Sequence, residues 1–143
     1  MSGGSRHLAR QAAVQALYQW DVTQQNRLDI EACFLSDRKL QHSDLQYFRQ
    51  LIQDIPRQVD ELDAATQPFL DRPMEKVDPI ERAILRLSAY ELVQRMEIPY
   101  RVVINEAIEL AKTFGSENSY RFINGILDKM VASYRELEVA AQR

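Results

Sequence analysis

The stretch SYRFINGILDKM, residues 119–130, decides the fold class because it carries two incompatible signals. Asn124-Gly125 between apolar runs is the pattern of a two-residue hairpin turn. Yet Phe122, Ile123, Ile126, Leu127 and Met130 recur at steps of three and four, which puts them on one face of a helix. The neighbouring segments are all helical by the same spacing, and a lone hairpin among them would have no sheet to join. The stretch therefore reads as helix with a glycine in its interior. Such a glycine costs about 0.5–1 kcal/mol relative to alanine, so something offsets it. Two offsets are open: close approach of another helix, or space cleared for a ligand beside Asn124.

Working outward, RVVINEAIELAKTFG (101–115) turns Val103, Ile104, Ala107, Ile108, Ala111 and Phe114 to a core, with Glu109 and Lys112 toward water and Gly115 as C-cap. Ser116 or Ser119 then caps the last helix. Asp78-Pro79-Ile80-Glu81 is a strong helix start: an N-cap Asp, Pro at the first position and Glu at the third. Ile80, Ala83, Ile84, Leu87, Tyr90 and Leu92 surround that helix with apolar groups, which makes it the central one, ending at Pro99. Ser43 to Gln46 has the form of a capping box and opens a helix carrying Leu45, Phe48, Leu51, Ile52 and Ile55. Pro56 bends or restarts it, and Val59, Leu62, Ala65 and Phe69 continue. A short helix is expected near 29–36 with Asp29 as N-cap. From Arg6 to Trp20, Ala9, Ala13, Ala16, Leu17 and Trp20 form an apolar stripe, and His7, Gln11, Gln15 and Gln19 a polar one. Only four glycines and five prolines are present, too few turn residues for a β-rich domain. With no internal repeat or linker, 1–143 reads as one domain, with short disordered ends expected at 1–4 and 139–143.

The 143 residues are 45% apolar and 27% charged, which suits a globular domain with a real core. No apolar run approaches the ~18 residues of a membrane span, and Arg10 with the glutamines interrupts any secretory signal. Cys33 is the sole cysteine, so no internal disulfide forms and a cytoplasmic location is the default. Its setting, IEACFL, predicts a buried, inert thiol. The net charge of −3 argues against indiscriminate nucleic-acid binding. Residues 1–20 hold Arg6, Arg10 and His7 and no acid, whereas residues 21–81 carry 13 acids against 7 bases. No metal spacing, phosphate loop or nucleophile elbow occurs, and His7 and His42 have no motif partner. No catalytic residue, metal site or cofactor is expected.

The strings AVQALYQW, YFRQLI, ERAILRLSAYEL and VVINEAIELAKTFGSENSYRFINGILDKM together closely resemble the NusB family of bacterial transcription antitermination factors, collinearly from about Arg6 to Lys129. The resemblance implies an all-α fold of about six or seven helices in two packed helical subdomains. It implies binding of boxA RNA as a heterodimer with ribosomal protein NusE, alongside NusA, NusG and RNA polymerase during ribosomal RNA transcription. It carries RNA contact onto Arg6, His7, Arg10 and Gln15, and onto Phe114, Ser116, Asn118, Arg121, Phe122 and Asn124. It carries NusE contact onto Arg72, Glu75, Asp78, Ile80, Glu81 and Arg82. Each set has competing structural roles: Phe114 and Phe122 sit at core spacing, Ser116 suits a cap, and Glu81 suits the capping box of Asp78. Many members carry a run of N-terminal arginines, and SRHLAR has only two. Two rivals remain: the NusB-like domain of some RNA cytosine methyltransferases, although the chain ends about where that domain ends, and a helical docking module with little RNA binding of its own.

Overall fold

The computed structural model describes residues 2–142. Met1 and Arg143, at the tips of the ends expected to be disordered, lie outside the described residues. Among the described residues eight α-helices run in order: α1 Ser2–Thr23, α2 Arg27–Leu35, α3 Leu45–Arg57, α4 Val59–Thr66, α5 Pro79–Gln94, α6 Tyr100–Phe114, α7 Ser119–Tyr134 and α8 Glu136–Ala141. Short 3₁₀ turns occupy Arg38–His42, Gln67–Phe69 and Met74–Lys76. Among the described residues there is no strand, and no helix is long and apolar enough to cross a membrane. The chain divides into two compact units, Met1–Val59 and Asp60–Arg143, where sequence analysis expects two helical subdomains.

In the first unit α1, α2 and α3 pack on one another. Ala9, Ala13, Ala16 and Leu17 of α1 are buried as their spacing requires, with Phe48, Leu51, Ile52 and Ile55 of α3. Two helix starts differ from expectation. Asn26, not Asp29, caps α2 by accepting the Leu28 N–H. Asp44, not Ser43, caps α3 by accepting the Tyr47 N–H at 3.0 Å, while the Ser43 hydroxyl turns back to the Leu40 carbonyl. In both cases two neighbouring residues are chemically able to cap, and the side chain that reaches the free N–H decides. Pro56 sits in the last turn of α3, and α4 starts at Val59, so the proline marks a restart. Cys33 is exposed, contrary to the buried thiol expected. The buried residues of α2 are Ile30 and Glu31, so the face carrying Cys33 points away from the core.

In the second unit α5, α6 and α7 pack mutually. Every residue of α5 from Ala83 to Leu92 is buried, which confirms it as the core helix of this unit. Asp78 caps it as predicted, accepting N–H bonds from Ile80 and Glu81, with Pro79 at the first position. The helix ends at Gln94, however, five residues before Pro99, which instead precedes α6. The cause is Arg135, only 1% exposed at the end of α7. Its guanidinium donates to the carbonyls of Glu91, Leu92, Arg95 and Ile98 at 2.8–3.1 Å and to the Glu138 carboxylate at 2.6 Å. A buried cation thus occupies the negative end of the α5 dipole and satisfies carbonyls that another turn of helix would have used. Arg86, also buried, makes a two-pronged pair with Asp63 at 2.8 and 2.9 Å.

Candidate nucleic-acid and partner interface

Of the residues expected to touch RNA, Arg6, His7, Arg10 and Gln15 lie on α1 in the first unit. The basic head is largely engaged within its own unit. The guanidinium of Arg6 lies 4.5 Å from the centre of the Tyr47 ring and 3.7 Å from the Asp44 carboxylate. Arg10 stacks on the same ring at 5.5 Å and is only 3% exposed. Arg10 therefore departs from the expected role: a cation held under α3 gives a phosphate no surface to approach. His7 is half-buried and bonds Gln11 at 3.2 Å, while Gln15 is exposed. Arg6 keeps about a third of its side chain in water and is the one guanidinium of the pair open to a ligand.

The remaining expected RNA residues gather on the α6–α7 turn of the second unit. This turn is tight because of Gly115, the C-cap of α6 in an extended conformation (φ −90°, ψ −176°). The glycine is needed for space and not for left-handed backbone: a Cβ there would lie 2.6 Å from the side chain of Ser119 and 2.7 Å from the Ala111 carbonyl. Neither serine caps α7 in the usual way, and Asn118, at the cap position, makes no side-chain cap bond. Instead Ser119 turns inward, accepts the Ser116 N–H at 3.0 Å and donates to Glu81 Oε2 at 2.7 Å. The Glu81 carboxylate thus reaches across to α7, and the cap of α5 is made by Asp78.

Ser116, Asn118 and Arg121 are exposed, whereas Phe114, Phe122 and Asn124 are half-buried. Two aromatic rings here carry cations. Tyr120 lies under Lys112 at 5.2 Å and Arg121 at 5.6 Å, and Phe122 lies under Arg72 at 4.9 Å. Beside Phe122 a cleft of about 360 Å³ opens among Phe69, Asp71, Arg121, Gly125 and Lys129. A Cβ on Gly125 would meet nothing within 4 Å. Close helix packing is therefore excluded as the reason for the glycine, and the open cleft is the surviving one.

The expected NusE residues border this surface. Arg72 pairs with Asp71 through two hydrogen bonds while stacking on Phe122. The Arg72 hydrogen bond and charge, helped by the Lys129 charge, hold the Asp71 carboxyl below its ordinary pKa. Arg82 is mostly structural: it donates to the carbonyls of Met74, Glu75 and Val77 and so braces the turn before α5. Asp78 is committed to its cap. Glu75 is exposed, and Ile80 and Glu81 are half-buried. The set holds three acids and two arginines, a weaker negative patch than the acid excess of residues 21–81 implies.

Sequence reading missed Lys112, the buried Ser119 hydroxyl as a link to Glu81, Tyr120 and Lys129 at this candidate surface. Tyr120 next to Arg121, eight residues after Lys112, was the available signal, since basic and aromatic residues interleave there. Nothing in sequence spacing brings Arg72 to Phe122.

Aromatic rings carrying cations around a short exposed turn of an all-helical chain form a candidate surface of the kind that stacks bases and pairs phosphates. Among the described residues no cluster of His, Cys, Asp and Glu is grouped to hold a metal ion. The chain belongs to the NusB family, whose sequence profile matches residues 7–132. It is 50% identical to the transcription antitermination protein NusB of Idiomarina loihiensis, over 94% of this chain and 97% of that one. It is likewise 50% identical to that of Shewanella amazonensis, over 92% and 98%. Among solved structures, T. maritima NusB superposes with a TM-score of 0.78 at 29% identity, covering 94% of this chain and 96% of that one. A crystal structure of antitermination factors NusB and NusE with double-stranded RNA superposes at 0.83, with 24% identity over 91% and 98%, and supports the fold. The family is one of transcription antitermination factors and not of enzymes.

Proposed function

We propose that this chain is a cytoplasmic antitermination factor that binds boxA-type single-stranded RNA together with ribosomal protein NusE. In that role it joins NusA, NusG and RNA polymerase to sustain ribosomal RNA transcription. The observation that carries the reading is the aromatic–cation surface of the α6–α7 turn, Tyr120 under Lys112 and Arg121 and Phe122 under Arg72, bordering the Gly125 cleft. Phe122, Arg121, Ser116, Asn118 and Asn124 are its RNA contacts, with Phe114 as a half-buried support. Arg6, His7 and Gln15 form a separate contact set on α1. NusE docks on Glu75, Ile80, Glu81 and the Asp71–Arg72 pair, while Asp78 and Arg82 shape that segment. The relative crystallised with NusE and double-stranded RNA supports NusE and RNA as the classes of partner. The burial of Arg10 favours one element of the rival reading, weak RNA binding by the chain alone. Fluorescence anisotropy with labelled boxA RNA, with and without NusE and against a scrambled sequence, tests the reading. Sequence-selective binding that strengthens with NusE is expected; equal affinity for the scrambled RNA in both states overturns it.

A further inference from the structure

The bonds among Ser116, Ser119 and Glu81 have a fixed direction. An ionised carboxylate has no hydrogen to give, so the 2.7 Å bond between Ser119 Oγ and Glu81 Oε2 uses the hydroxyl hydrogen of Ser119. That oxygen then has only lone pairs left. One accepts the Ser116 N–H at 3.0 Å. The other faces Ser116 Oγ at 3.1 Å and can only accept, so the Ser116 hydroxyl must donate to it. Ser119 is 2% exposed, which shields its own bonds to Glu81 and to the Ser116 N–H from water. Ser116 stands exposed at the outer end with its hydrogen committed inward.

We propose that Glu81, acting through Ser119, fixes the exposed Ser116 hydroxyl as a hydrogen-bond acceptor, so that this position of the RNA surface selects a ligand group that donates a hydrogen. A phosphate oxygen, which only accepts, gains nothing there. The donors a ribonucleotide offers are its 2′-hydroxyl and the N–H groups of its base edge. Ser116 is thus a specificity contact, and Ser119 and Glu81 are positioning residues behind it. The inference rests on the RNA-binding reading above and supplies the chemistry of one contact in it.

The test is a double-mutant cycle between protein and RNA, measured by anisotropy with NusE saturating. The RNA arms are unmodified boxA, the same sequence with 2′-fluoro sugars, and versions with single exocyclic amines removed (inosine for guanosine, purine for adenosine). The protein arms are wild type, Ser116→Ala and Ser119→Ala, each checked for folding by circular dichroism. Wild type is expected to bind one donor-deleted RNA about 5–10-fold more weakly than unmodified RNA, in line with one net hydrogen bond. Loss on 2′-fluoro substitution identifies the sugar as the source, and loss on amine removal identifies a base. In Ser116→Ala the discrimination should vanish. In Ser119→Ala it should shrink, because the freed Ser116 hydroxyl can then donate as well as accept. Should Ser119→Ala fail to fold, Ser116→Ala, at an exposed position, still decides. Discrimination that persists unchanged in Ser116→Ala overturns the inference and leaves the RNA-binding reading standing. Failure of wild type to bind unmodified RNA overturns both.

Discussion

A helix glycine with empty space above it is worth keeping only if something else uses that space. Gly125 gives up about 0.5–1 kcal/mol of helix stability relative to alanine, and an added Cβ would meet nothing. Gly125→Ala should therefore stabilise the fold by about that amount in urea unfolding. Gly125→Leu should also fold well but project into the cleft bordered by Phe69, Phe122 and Lys129, lowering boxA affinity by about tenfold, or ~1.4 kcal/mol. A Gly125→Leu variant with unchanged RNA affinity would remove the cleft from the binding surface. Gly115 behaves in the opposite sense. A Cβ there meets the Ser119 side chain and the backbone carbonyl of Ala111, and a carbonyl cannot rotate away. Gly115→Ala should cost about 1–3 kcal/mol by overpacking and displace Ser119, so thermal melts and RNA titrations should both worsen. Both glycines lie in the same 30-residue stretch as the opening pattern, yet sequence alone does not separate a crowded glycine from an open one.

The length of α5 is set by a side chain from another helix. Arg135 is fully enclosed and serves four carbonyls at and beyond the C-terminus of α5 as well as Glu138. Arg135→Met keeps much of the volume but leaves those carbonyls without their donor and Glu138 without its cation. A loss on the order of 3–5 kcal/mol is expected in denaturant unfolding, and hydrogen exchange should rise first at residues 94–98. A loss under about 1 kcal/mol would mean that water or a local rearrangement serves the carbonyls instead. This is also where sequence reading stops. Apolar spacing and the Asp78-Pro79 start were enough to place the core helices, because both signals are local. The end of α5 was misplaced at Pro99 because the agent that stops it lies some 40 residues further on. The same limit applies to the candidate site: Arg121, Phe122 and Asn124 are assigned to it by the family resemblance of their own segment, whereas the stacking of Arg72 on Phe122 and the reach of Glu81 to Ser119 join segments distant in sequence. Cys33 and the caps of α2 and α3 failed for a smaller reason, since a shift of one to three residues changes which face is buried and which oxygen meets the N–H.

For the molecule as a whole, the deciding quantity is how many cations remain for RNA on a chain of net charge −3. A count from sequence takes Arg6, Arg10 and Arg121 as phosphate contacts. The fold withdraws Arg10, which is buried against Tyr47, and leaves Arg6 and Arg121 with Lys112 on the Tyr120 ring and Lys129 at the cleft. Each phosphate neutralised on single-stranded RNA contributes about −0.7 to the slope of log K against log salt, so three or four contacts give about −2 to −3 for the chain alone. Arg6→Ala and Arg121→Ala should each flatten that slope by about 0.7, Arg121→Ala with little loss of stability and Arg6→Ala with some, since it also gives up its contacts to Tyr47 and Asp44. Arg10→Ala should do the reverse. It removes a cation–ring contact worth about 0.5–2 kcal/mol and lowers the melting temperature, but it leaves the slope where it was. NusE, binding on the second unit, should steepen the slope by bringing its own contacts to the same RNA, and the increment should be equal in wild type and in Arg10→Ala. The measurement is boxA binding across a salt series for wild type and the three variants, with and without NusE, beside thermal melts of each. An Arg10→Ala variant that melts like wild type and loses a full phosphate contact from its slope would show that Arg10 swings out to the RNA, and the division of the basic head into one structural and one binding arginine would fall.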